Sequence, residues 1–141
     1  MEANRTELLE LTQAWESLLF ELKKRKKFDF EEFETIFTRT YRFLSEYAGK
    51  PAVEREHIPL IICAYAFAQV ECNELDYVHR AALVLTERML RSCVVIGASA
   101  PIYGTYVYVF ESRKEVYIDF NNVSDSATKL AKLFDVEQDI T

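Results

Sequence analysis

Glycine and proline are nearly missing from this chain, with three of each in 141 residues. So little glycine leaves no material for a backbone cradle around phosphate, and neither G-x-x-x-x-G-K nor G-x-G-x-x-G occurs. The G-x-S-x-G elbow of serine hydrolases and the C-x-x-C pair are missing too. No segment approaches the ~20 consecutive apolar residues that span a bilayer. The opening MEANRTELLELTQ is acidic and amphipathic, not a charged stretch followed by an apolar one, so no secretion signal is expected and a cytoplasmic location is. The three cysteines, Cys63, Cys72 and Cys93, are odd in number and lie in apolar stretches, which suits buried, reduced thiols better than a disulfide framework.

What the chain has is apolar bulk. Half its residues are hydrophobic, with ten phenylalanines and eight tyrosines, enough for one core and too short for two ordinary domains. A single domain over residues 1–141 is expected. The most apolar stretch, Pro59 to Cys72 (PLIICAYAFAQVEC), puts apolar residues on every side of a helical wheel. It reads as a central helix enclosed on most sides.

The remaining elements fall around it. Asn4 with Glu7 has the form of a cap for a helix from about Arg5 to Lys24, whose stripe is Leu8, Leu11, Trp15, Leu18 and Leu22. Asp29 with Glu32 caps a second helix with Phe33, Phe37, Tyr41 and Leu44 in its stripe, Phe28 stapling onto Phe33, and an end at Gly49-Lys50-Pro51. A fourth helix begins at Tyr77 and pairs with the central one as a hairpin. After Ser92 the period becomes alternating. Cys93–Ala98, Thr105–Phe110 and Glu115–Phe120 read as a three-stranded antiparallel meander, followed by a C-terminal helix capped by Ser124. The expected class is α+β: a four-helix layer over about residues 4–92, then the meander and closing helix over about 93–135.

Pairing Phe110 with Glu115 places Val107 opposite Ile118 and Tyr108 opposite Tyr117. One sheet face is then aliphatic, and the other carries Tyr106, Tyr108, Phe110 and Tyr117. Tyrosines are enriched where a surface must be apolar and polar at once, so these four residues are the candidate partner-binding site, for a protein partner or a second copy. The competing expectation is that the C-terminal helix folds back over them. The alternative is a small-molecule-binding protein or an enzyme whose pocket lies between helices and sheet, lined by Tyr65, Tyr103 and Tyr106.

Other constellations carry less. Glu54/His57 and Asp76/His79 share a carboxylate-x-x-histidine spacing, but the ~14 residues of helix between them separate the pairs by about 20 Å. They are expected to be surface histidines near helix ends. Neither cysteine of the central helix stands in helical register with a histidine, so no catalytic, metal-ligating or cofactor-binding set is assigned. Lys23 to Lys27 (KKRKK) either closes a solvated helix end or docks an acidic partner or RNA. A net charge of −6 and the lack of a second basic cluster count against nucleic acid. The expected function is a non-enzymatic protein-interaction module.

Overall fold

The computed structural model describes residues 2–47, 54–71, 73–94 and 103–135. The chain is α+β and mostly helical: α1 (Glu2–Arg25), α2 (Phe30–Leu44), α3 (Ile58–Ala68), α4 (Tyr77–Cys93), β1 (Gly104–Val109), β2 (Lys114–Asp119) and α5 (Val123–Phe134). Short 3-10 turns follow α2 and precede α3. Close packing runs in three tiers. α1 lies against α3, both lie against the pair α2 and α4, and α5 with the β1–β2 hairpin packs on the far side of α4.

Aromatic side chains join the tiers. Trp15 of α1 and Phe67 of α3 meet at 5.3 Å between ring centroids, and Phe67 stacks on Phe33 of α2 at 5.8 Å. Phe33 continues to Phe37, and Phe37 reaches Phe120, just past β2, at 6.3 Å. Trp15 Nε1 donates to Thr40 Oγ1 at 2.9 Å, which satisfies the one polar atom the indole brings inside.

Several helix ends follow their sequence signals. The Asp29 side chain accepts from the N–H groups of Glu31 and Glu32, and Phe28 packs on Phe33 at 5.6 Å as the staple requires. Asp76 caps α4 by accepting from His79 N at 2.8 Å. Other ends do not. α1 starts at Glu2, so Asn4 lies within the helix rather than at its cap position. α2 stops at Leu44, ahead of Gly49-Lys50-Pro51, which lies outside the described residues. Asn122 rather than Ser124 occupies the cap of α5, and Glu34 of α2 takes the N–H of Ser124 at 3.1 Å. That cap is tertiary, supplied by a carboxylate ninety positions away in the chain.

The central-helix expectation needs the largest correction. α3 is apolar throughout, yet only Leu60, Ala64 and Phe67 are fully buried, while Ile58, Ile62 (60% exposed) and Tyr65 face outward. Enclosure needs neighbours on all sides, and among the described residues α3 has α1 on one flank and α4 on another. The fold also departs from a four-helix layer with a separate closing helix, since α5 packs on α4 as well as on the sheet.

The sheet differs too. Two antiparallel strands are present among the described residues. Cys93 is the last residue of α4 and Val94 its cap, so the expected first strand cannot begin there, and its remainder lies outside the described residues. The register is shifted by two: Tyr106 pairs with Tyr117, Val107 with Val116 and Tyr108 with Glu115. The turn sets this. Arg113 N donates to Val109 O at 2.8 Å and Arg113 takes a left-handed φ of 58°, so the loop is Phe110–Arg113 and not Glu111–Lys114. A shift by an even number preserves the faces.

Two stability outcomes follow. Phe67→Ala, at the junction of three tiers, is expected to cost about 3–5 kcal/mol, whereas Ile62→Ala, on the open side of the same helix, should cost under about 0.5 kcal/mol. Urea denaturation of the two variants checks the contrast. In acid, two carboxylates matter. Burial works to raise the Asp76 carboxyl, but the backbone N–H and ring of His79 outweigh it and hold it below the usual range; the Arg80 hydrogen bond does the same for Glu111 against its partial burial. Groups held low when folded stabilise fully above their unfolded range and lose that contribution as pH falls through their folded values. The melting temperature should therefore hold down to about pH 5 and drop below it, and Asp76→Asn, which keeps a capping side chain, should shrink the drop.

Candidate interaction face

The aromatic face is built by the hairpin and aimed by its anchors. Val107, Val109 and Ile118 point into the core and are buried. Alternation then turns Tyr106, Tyr108 and Tyr117 outward. At the tip, Glu111 accepts from Arg80 Nη2 at 2.6 Å, and the Arg80 guanidinium also sits 3.9 Å over the Phe134 ring. One arginine of α4 thus holds both the hairpin turn and the end of α5. At the other end of β2, Ser126 of α5 accepts from Asp119 N at 2.8 Å and donates to Asp119 O at 3.0 Å.

With the hairpin pinned at both ends, its outer face is open. Tyr106 is 63% exposed, Tyr108 48%, Phe110 81% and Tyr117 44%. The rings form two edge-to-face pairs, Tyr106–Tyr117 across the strands and Tyr108 of β1 with Phe110 of the turn, each at 5.1 Å between centroids. Tyr117 also lies over Gly104, where an added Cβ would stand 2.4 Å from the tyrosine hydroxyl oxygen and 2.3 Å from the Ile118 carbonyl oxygen. Only glycine fits beneath that ring. α5 does not cover the face. Its buried residues, among them Ala127, Leu130 and Phe134, serve the opposite side, where α5 meets α4 and β2.

The alternative pocket is not assembled. Tyr65 is on the outer side of α3 in the first tier, and Tyr106 is on the outer face of the third. Tyr103 lines a cleft of about 520 Å³ with Tyr41, Arg42 and Asn121, to which neither of the others contributes. Burial pushes the Tyr41 hydroxyl in its wall up to about 12.

The histidines are less exposed than their positions suggested. His57 is buried beside Phe43, with Glu54 at 3.8 Å. His79 packs its ring edgewise on Phe28, with Nδ1 2.7 Å from Asp76 and Nε2 2.9 Å from the Phe28 carbonyl oxygen. The His79 ring ties the start of α4 to the Phe28 carbonyl, and no group of three or more metal-ligating side chains converges among the described residues. No described helix is long and apolar enough to cross a membrane.

Both described thiols are free, and only one of them is buried as expected. Cys93 is buried, which pushes its thiol up to about 12. Cys63 is only partly buried and donates to Glu16 Oε1 at 3.6 Å; burial first, and then this carboxylate, raise its pKa. Cys72 lies outside the described residues. No known protein family, curated protein or solved structure matches the chain, so its functional reading stands on this geometry.

Labelling with a maleimide, followed by peptide mapping, should modify Cys63 well before Cys93 in native buffer. Glu16→Gln removes a charge that favours the neutral thiol, so it should speed the Cys63 reaction at fixed pH and leave Cys93 unchanged.

Proposed function

We propose that this protein is a non-enzymatic cytoplasmic interaction module, of adaptor, inhibitor or chaperone type, which binds a protein partner through the outer face of its β1–β2 hairpin. The observation that supports this reading is the open aromatic face itself. Tyr106, Tyr108, Phe110 and Tyr117 present paired rings on a hairpin pinned at both ends. Contiguous apolar patches of several hundred Å² are rarely left bare on soluble proteins without a partner. Rings held in place before binding lose little rotamer freedom on contact, and tyrosine hydroxyls keep the surface soluble until then.

Such a face suits a hot spot, in which a few central aromatics account for most of the binding energy. Glu115 beside Tyr108 in the register, with Arg113 and Lys114 at the turn, supplies a charged rim that orients the contact.

The test is Tyr108→Glu, which puts a charge among the rings at a position exposed enough to leave the fold intact. Partners captured by the wild-type protein from lysate should be lost, with circular dichroism and melting temperature unchanged. If the variant keeps the same partners and the same mass by light scattering, the sheet face is not the interface.

A further inference from the structure

A second apolar surface lies at the opposite end of the tier stack, and the proposed sheet interaction does not use it. On α3 the outward residues Ile58, Ile62 and Tyr65 recur at spacings of four and three, one stripe of the helix. On α1, Leu9 and Phe20 are exposed large apolar residues as well. Leu9 is seven positions before Glu16 and Phe20 four after it, so all three share a side of α1. That side borders α3, because Glu16 accepts from Cys63 there. The two stripes therefore run next to each other along the α1–α3 seam.

Charge gives this surface a direction. Lys23 is seven positions beyond Glu16 and Lys24 four beyond Phe20, so both continue the α1 stripe at its C-terminal end. Both are exposed, neither forms an ion pair among the described residues, and Lys24 Nζ lies 5.4 Å over the Phe20 ring. The other end of the seam is already neutralised by the Arg5–Glu56 pair at 3.2 Å. An apolar strip thus has a single carboxylate at its middle and uncompensated cations at one end.

We infer that the α1–α3 seam docks an amphipathic helix of a partner protein, whose apolar face covers Phe20, Ile62 and Tyr65 and whose acidic end meets Lys23 and Lys24. α3 has eleven residues and so offers about three turns of contact, the length over which a helix-in-groove partner places its anchors. Two rival occupants fit less well. A second copy set antiparallel on the same seam brings the two Glu16 carboxylates together near the two-fold axis. A lipid surface would have to take Glu16 out of water with no donor to meet it beyond the Cys63 thiol, and it would face a chain of net charge −6. A helix can instead place a polar residue opposite Glu16. With the sheet face at the other end of the stack, the chain could bridge two proteins at once.

Selection of helix-favouring peptides of about 14 residues from a display library on the wild-type protein tests this. Enriched sequences should be apolar at helical spacing with Asp or Glu clustered at one end. A synthesised consensus peptide should bind at least tenfold more weakly to Ile62→Asp and several-fold more weakly to the double variant Lys23→Glu/Lys24→Glu. Its affinity should fall with added salt and be unchanged by Tyr108→Glu, which separates this seam from the sheet face. Phe20→Asp repeats the apolar test on α1, so a folding defect at one position leaves the other informative. The inference is overturned if no peptide is enriched over Ile62→Asp, or if the enriched peptides lack an acidic end. It is equally overturned if Ile62→Asp abolishes a doubled mass in light scattering, or binding to phosphatidylserine vesicles, in place of peptide binding.

Discussion

A continuous line of aromatic contacts, from Trp15 through Phe67, Phe33 and Phe37 to Phe120, is the constraint on which the rest of the structure depends. It crosses all three tiers, so helices 1 and 3, helices 2 and 4, and the final hairpin unit each contribute to one core. Rings of this size bury about 150–250 Å² each, and close packing tolerates little loss of volume at their junctions. Two of the polar groups brought inside are answered in different ways: Thr40 of α2 accepts from the indole of Trp15 on α1, and Thr86 donates to Ala82 O one turn back at 2.9 Å.

Once that line is satisfied, the outer tiers have apolar surface left over. The hairpin must present one face to α4 and α5, and the aliphatic set does so because branched side chains mesh with helical stripes. The tyrosines are then outside by alternation, and Arg80 and Ser126 fix the direction in which they point. The same logic acts on α3, where three residues of the buried stripe meet α1 and α4 and the isoleucines on the far side have nothing inside to join. The two exposed faces follow from an interior whose contacts are already complete, and their residues can change with little cost to stability. Surface that is free of structural duty is free to bind.

Much of this architecture was legible in the residues. Spacings of three and four located four of the five described helices and an apolar run located the other, Asp29 announced a helix start, and the Phe28–Phe33 staple formed as read, because these signals act within one or two turns. Alternation at Tyr106–Phe110 assigned inside and outside correctly even though the register was off by two, since an even shift leaves every side chain on its own face. What misled was local likeness without local cause. Ser124 resembles a cap, but α5 begins two residues earlier than that cap implies, with Asn122 in the cap position and the Ser124 N–H taken by Glu34 on another helix. Cys93 is β-prone beside two valines, but continuing α4 through it keeps its side chain in the core.

Apart from the end of α4 at Cys93, the sequence by itself determined which described segments are helical or extended and which side of most of them is apolar, because periodicity and capping depend on neighbours a few residues away. Only the tertiary structure decided how many sides of an apolar helix find a partner. The composition of Ile58–Ala68 reads as enclosure, yet enclosure depends on how many other elements pack around a helix, and among the described residues α1 and α4 leave one side open. The hairpin register was likewise set by one left-handed residue, Arg113, whose conformation no pattern of hydrophobicity records. Exposure, and with it every candidate interaction surface, depends on contacts between residues far apart in the chain.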